Sequence, residues 1–313
     1  MGSKRQNLKA FLYRTAPLCL VGVMTALMLM PMQPEEKTRL MSAFWNFLHF
    51  PASFALFYIC LNLKWLHGKT WSREVCSAVF VQALHTILEL LQPLLHRSAS
   101  WSDWFLGLAG VLAAYLVYKA FRGDAKAKRS WRLLGAFGLL VLAMMPTLAQ
   151  GFDRVKVRDA FPLMGTFETR MELRRWNLYG FKGALSHEHA SHGRRSARLV
   201  ETRDFSYSGW FLEEMNADWS PYDTLVCSIF WTGKQLRKGD VRVDDLPEST
   251  YVQQGHFDFV LAPGENRLVV PLDRLFQTDS GRKIDGSKIW KFGISMLEKQ
   301  DGSVLFVDGI RLE

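Results

Sequence analysis

The stretch LLGAFGLLVLAMMPTLAQGFDRVKVRDAF, Leu133 to Phe161, decides how this chain is read. Up to Gln150 it is apolar enough to lie in lipid. From Asp153 onward it alternates charge with valine, as a surface segment does. Nearly every long apolar run of the 313 residues lies before Gly151, and almost none after it. The mean hydropathy near zero therefore averages a greasy half and a polar half.

A membrane-crossing helix needs about 20 mostly apolar residues. Working outward from Leu133–Gln150, four more segments qualify: Phe11–Met30, Phe44–Leu63, Val75–Leu95 and Trp104–Phe121. The third in chain order is the least apolar, because it carries Gln82, His85, Glu89 and Gln92. The basic start (Lys4, Arg5, Lys9, Arg14) and apolar run resemble a signal peptide, but the run ends in Pro31-Met32-Gln33-Pro34 with no small-residue cleavage site. An uncleaved first span is the expectation.

The formal charge of +9 is a topology signal before it is a nucleic-acid signal. Lys4, Arg5, Lys9 and Arg14 precede span one. Lys64, Lys69 and Arg73 lie between spans two and three, and Lys119, Arg122, Lys126, Lys128, Arg129 and Arg132 between four and five. The two alternate loops are nearly balanced. Basic loops stay in the cytoplasm. Five spans then put the N-terminus inside and the C-terminal part outside, in the periplasm if the cell is Gram-negative. The expected place is the cytoplasmic (inner) membrane, with membrane lipids as partners and no nucleic acid. Of the four cysteines only Cys227 falls in the polar half, which leaves that half no internal disulfide and makes Cys227 a small core residue.

With this threading His49, Glu89, Gln92, Arg97 and Asp103 share one depth, toward the outer face. Glu89 and Gln92 are three apart on a helix face, and His85, four before Glu89, extends that face inward. A carboxylate inside a span needs a partner, here Arg97 or His49, while Asp103 pairs with Arg97. The plain alternative is that Arg97 and Asp103 merely sit at the lipid–water boundary. These residues, His49-Phe50 with Phe54, Glu89-Leu90-Leu91-Gln92, Arg97-Ser98, Asp103 and Gly110, resemble the VanZ-like membrane domain over roughly residues 11–121. The family usually has Lys where this chain has Asn46 or Phe47, Asn where it has Gly107, and a second Gly where it has Ala114. The resemblance implies a polar pocket at the outer side rather than a stated reaction.

From Leu163 the pattern becomes short β-branched and aromatic runs between turn signals. Expected strands are Ser196–Thr202, Thr224–Trp231, Val241–Val243, His256–Val260, Asn266–Pro271, Lys288–Ser295 and Ser303–Arg311, with turns at Pro263-Gly264, Asp285-Gly286 and Asp301-Gly302. The fold class is thus an α-helical membrane bundle of five transmembrane helices plus an all-β antiparallel sandwich or jelly roll. The divisions are a four-helix VanZ-like domain over 1–125, a fifth helix and linker over 126–162, and an extracytoplasmic sandwich over 163–313. Phe152–Pro162 reads as a short mixed-charge linker. Asp218-Trp219-Ser220-Pro221-Tyr222-Asp223, Pro263-Gly264 before Pro271-Leu272, and the closing Leu305–Glu313 resemble the galactose-binding-like sandwich of carbohydrate-binding modules.

That resemblance implies a glycan or glycolipid partner. Sugar sites stack aromatic faces and hydrogen-bond hydroxyls. Trp219, Trp231 and Trp290 read as core. Trp176, Tyr179 and Trp210, in Gly-flanked segments, read as loop residues that contact glycan. The resemblance also admits a structural calcium, with Asp308 and Glu168 or Glu201 as ligands. His187-Glu188-His189…His192 reads as a solvated loop rather than a metal tract. No cofactor is called for. The leading function is non-enzymatic envelope glycan or glycolipid binding. The alternatives are a membrane enzyme using His49 with Glu89 or Asp103 as acid and base on a lipid-linked headgroup, Arg97 holding its phosphate, and an anchor presenting a protein-binding sandwich.

Overall fold

The computed structural model describes residues 22, 38–62, 70–95, 100–122, 126–202, 207–298, 300 and 302–313. The chain divides into two compact units, Met1–Phe152 and Asp153–Glu313. The expected first span, Phe11–Met30, lies outside the described residues except for Gly22, and so does Arg97.

The first unit is helical: α1 (Arg39–Asn62), α2 (Thr70–Leu91) with a 3-10 turn over Gln92–Leu95, α3 (Trp101–Arg122) and α4 (Lys126–Ala160). Four helices among the described residues are long and apolar enough to cross a membrane. Their seam is made of small residues. Gly107, Gly110, Ala113 and Ala114 of α3 are buried, and a Cβ on Gly110 would lie 2.2 Å from the Phe50 carbonyl oxygen of α1. Such small residues let the helix backbones approach closely. Phe57, Leu61, Val81, Val111 and Tyr118 fill the space beside them. Phe80, Leu90, Phe105 and Leu142 face outward. At the end of α2 and α3 away from Glu89, Lys119 pairs with buried Glu74 at 2.8 Å, and Arg73 donates to the Tyr118 hydroxyl at 2.7 Å. The expected linker is instead the continuation of α4 through Ala160. Residues 152–160 contain no glycine or proline, so nothing stops the helix before Pro162.

The second unit is an antiparallel sandwich. One sheet runs β3 (Phe181–Ser186), β4 (Ser196–Glu201), β11 (Val304–Leu312), β6 (Thr224–Trp231), β9 (Gly264–Pro271), with β1 (Leu163–Gly165) also on β11. The other runs β2 (Trp176–Tyr179), β5 (Ser208–Leu212), β10 (Lys291–Met296), β7 (Arg237–Asp244), β8 (Gly255–Leu261). Only β3–β4 and β7–β8 are consecutive neighbours in one sheet; the other connections between consecutive described strands change sheet, as in a jelly roll. β6 pairs with β9 from Thr224↔Pro271 to Trp231↔Gly264, so Pro263-Gly264, with Gly264 at φ 94°, is the corner where the chain leaves β8's sheet. Trp210, Trp219, Trp231, Phe292, Ile294 and Val307 meet between the sheets.

β2, β3 and β5 lie where glycine-flanked loops were expected. Their glycines serve packing. A Cβ on Gly183 would meet Leu178 at 2.5 Å, and one on Gly209 would meet the Phe211 ring at 2.7 Å.

Candidate functional site

In the helical unit, α1 supplies His49, α2 supplies His85 and Glu89, the 3-10 turn supplies Gln92 and α3 supplies Asp103; all five are buried. Nδ1 of His49 lies 3.0 Å from Nε2 of His85. Oε1 of Glu89 is 3.5 Å from that His49 nitrogen and 3.6 Å from that His85 nitrogen. Oδ2 of Asp103 is 3.9 Å from the other ring nitrogen of His49. The rest of the shell holds these groups in place. Ser53 Oγ is 3.1 Å from Nδ1 of His85. Glu89 accepts from Gln92 Nε2 at 3.0 Å and from the Ser100 amide at 3.2 Å. Buried polar groups cost free energy unless paired, and here they pair with one another.

Four of the five residues read from sequence thus come together; the fifth, Arg97, is not described. Glu89 finds two imidazoles, and the second, His85, was not among the residues assigned to the site. Its spacing of four before Glu89 was the available signal. Gly107, which departs from the VanZ-like pattern, makes room for it. A Cβ there would sit 2.3 Å from Nδ1 of His85. His49, His85 and Glu89 are the one group of three metal-type ligands among the described residues, with ligand atoms within 4.8 Å of one another.

In the sandwich two expectations are corrected. Trp176 and Trp210 are 4% and 1% exposed, in β2 and β5, and pack in the core. Their side chains point inward because strand residues alternate faces, so neither can stack on a ligand from solvent. Tyr179 is half-buried and does face a groove, shared with Tyr207, Phe211, Arg242, Asp244, Gln254 and Lys291, with a cavity of about 100 Å³. This is the outer face of the five-stranded sheet, where Phe211, Gly293 and Arg242 are in register. The Phe211 ring lies across Gly293, where a Cβ would come within 2.0 Å of it. Tyr179 lies 5.8 Å from the Tyr207 ring and 5.7 Å from the Phe211 ring. Lys291 pairs with Glu213 at 2.8 Å, and Arg242 donates to Asp240 at 2.7 Å. Burial, then the Glu213 charge, raises the Tyr179 hydroxyl's pKa, so the phenol stays a neutral donor. A larger cleft, about 770 Å³, has Arg170, Arg174, His187 and Arg195 around Leu173 and Leu178, a lining that favours an anion.

The carboxylates expected to hold calcium are otherwise engaged. Asp308 accepts from the amides of Ser191 at 2.6 Å, His192 at 2.7 Å and Gly309 at 2.8 Å. Glu168 accepts from those of Arg194 at 2.6 Å and Arg195 at 3.0 Å, and these bonds, the Arg194 one foremost, lower its pKa. Glu201 binds the buried Arg237 at 2.7 Å. N–H groups aimed at these oxygens occupy lone pairs that a cation would take. Asp308 and Glu168 instead pin the loop carrying His187, His189 and His192, whose His189 ring stacks 3.4 Å from Phe230.

No protein-family model matches the chain, and no curated protein matches it. The VanZ-like reading therefore rests on its residues alone. Among solved structures, the C-terminal sandwich resembles carbohydrate-binding modules. The family 11 module from Clostridium thermocellum in complex with a β-1,3-1,4-mixed-linked tetrasaccharide is 15% identical over 48% of this chain and 93% of its own, at a TM-score of 0.37. A non-crystalline-cellulose-specific family 28 module is 14% identical over 48% and 93%, at 0.35. An exo-β-agarase is 14% identical over 48% of this chain and 24% of its own, at 0.40. This chain thus spans about a quarter of the agarase's length.

Proposed function

We propose that this chain is a cell-envelope membrane protein that carries a glycan-binding sandwich outside the cytoplasm on a VanZ-like helical unit. The observation that carries the reading is the groove on the outer sheet face. It joins aromatic faces (Tyr179, Tyr207) to hydrogen-bonding groups (Arg242, Asp244, Gln254, Lys291), the two elements a sugar site requires. The threading is supported by three separate basic loops on one side of five apolar runs. The polar pocket of His49, Glu89, Gln92 and Asp103 then lies toward the outer side, where an envelope glycolipid headgroup would reach it.

The test is glycan-array binding by the full chain in detergent, with Tyr207→Ala and Arg242→Ala beside Arg174→Ala in the basic cleft. Saturable binding to an envelope glycan that the two groove variants abolish supports the reading. Binding lost only in Arg174→Ala moves the site to the cleft and an acidic ligand. No binding to any glycan sinks the proposal in favour of a protein-binding sandwich.

A further inference from the structure

We propose that His49, His85 and Glu89 form a binding site for a divalent transition-metal ion, zinc by ligand set and geometry, inside the helical unit. Two imidazole nitrogens 3.0 Å apart cannot both present lone pairs to each other. Either one carries a proton or an ion lies between them. The third atom, Oε1 of Glu89, stands 3.5 and 3.6 Å from the two nitrogens. Tetrahedral zinc with bonds of about 2.0–2.1 Å has ligand–ligand edges of about 3.3–3.4 Å. An ion at that bond length from all three atoms sits roughly half an ångström off their plane, which leaves a fourth position open. An octahedral ion has shorter edges, about 3.0 Å, which fit one side of this triangle and miss the other two.

The groups behind the ligands are those a metal site needs. Ser53 Oγ can accept from Nδ1–H of His85, which turns the Nε2 lone pair toward the ion. Asp103, 3.9 Å from Nε2 of His49, sets a carboxylate charge beside that ring. Gln92 and the Ser100 amide orient the carboxylate. Oε1 of Gln92 is buried with no hydrogen-bond partner among the described residues, an acceptor for a metal-bound water beside the ligand set. Imidazole nitrogens argue against calcium or magnesium, which take oxygen shells.

The experiment uses the full chain in detergent, dialysed against chelator and then zinc. The expected result is about one zinc per chain by elemental mass spectrometry, and an intense visible spectrum of tetrahedral type when cobalt replaces zinc. His85→Ala and Glu89→Gln should each lose the ion while eluting as folded protein. Ser53→Ala should keep one site but weaken it roughly ten- to a hundredfold, because the His85 ring loses the hydroxyl that orients it. If the ligand variants do not fold, the wild-type stoichiometry and the Ser53→Ala affinity decide. Folded wild-type protein that takes up less than a tenth of an equivalent overturns the proposal, and so does a His49→Ala/His85→Ala double variant that binds as wild type. Glycan binding by folded protein that takes up no zinc would refute this site and leave the function above intact.

Discussion

Gly107 of α3 and His85 of α2 are packed so closely that a methyl group on Gly107 would fall 2.3 Å from Nδ1 of the imidazole. The ring cannot swing aside freely, since it bonds Ser53 at 3.1 Å and His49 at 3.0 Å. Gly107→Ala is therefore expected to lower stability by about 1–3 kcal/mol, the usual range for overpacking. Thermal unfolding in detergent measures it. A variant as stable as wild type would mean that the His85 ring is not held where it is described.

Trp210 and Tyr207 separate core from contact. Trp210→Ala empties a site that is 1% exposed and should destabilise the sandwich by about 3–5 kcal/mol. Tyr207 is 43% exposed, so Tyr207→Ala should leave the unfolding temperature nearly unchanged while weakening glycan binding. Unfolding scans paired with binding isotherms read both, and equal stability losses would contradict the assignment.

Glu201 is the counter-charge for a guanidinium with no exposure. Arg237 Nη2 donates to it at 2.7 Å and to the Glu298 carbonyl at 2.7 Å, while Nη1 donates to Ser303 at 2.8 Å. Glu201→Ala leaves a buried charge uncompensated and should cost about 3–5 kcal/mol, whereas replacing both partners with apolar residues should cost much less. A double-mutant cycle on unfolding free energy makes the comparison.

His256 gives the sandwich a pH dependence. Burial disfavours its charged form, but the Asp240 carboxylate at 3.1 Å and the Tyr251 carbonyl at 2.9 Å outweigh that and raise its pKa. A raised folded pKa adds stability fully below the unfolded value of about 6.5, and the addition fades as pH rises through the folded value. Unfolding temperatures taken from about pH 6 upward should therefore fall more in wild type than in His256→Gln. Parallel curves would contradict the pairing.

How much of this was legible depended on the length of the signal. Twenty-residue apolar runs such as Phe44–Leu63 stand out, and the β-branched and aromatic run Thr224–Trp231 marked β6 with its observed bounds. The strands that escaped, β1, β2, β3 and β5, are short, and β3 and β5 carry Gly183 and Gly209, whose role depends on the Leu178 and Phe211 side chains above them. That dependence is tertiary. It also explains Trp176 and Trp210, whose glycine neighbours suggested loops. In the helical unit the Glu89–Gln92 spacing was readable, but the meeting of His49 with His85 needed the crossing of α1 and α2. Helix continuity past Gly151 was hidden by the change there from apolar to charged composition, which does not end the helix.

The central claim is that five crossings leave the sandwich outside the cytoplasm. The direct measurement is the activity of a reporter enzyme that needs disulfides, fused after Glu313 in the full chain, beside a reporter that fluoresces only in the cytosol. The account predicts enzyme activity without cytosolic fluorescence. Fluorescence without enzyme activity would contradict it and remove the envelope glycan as a partner.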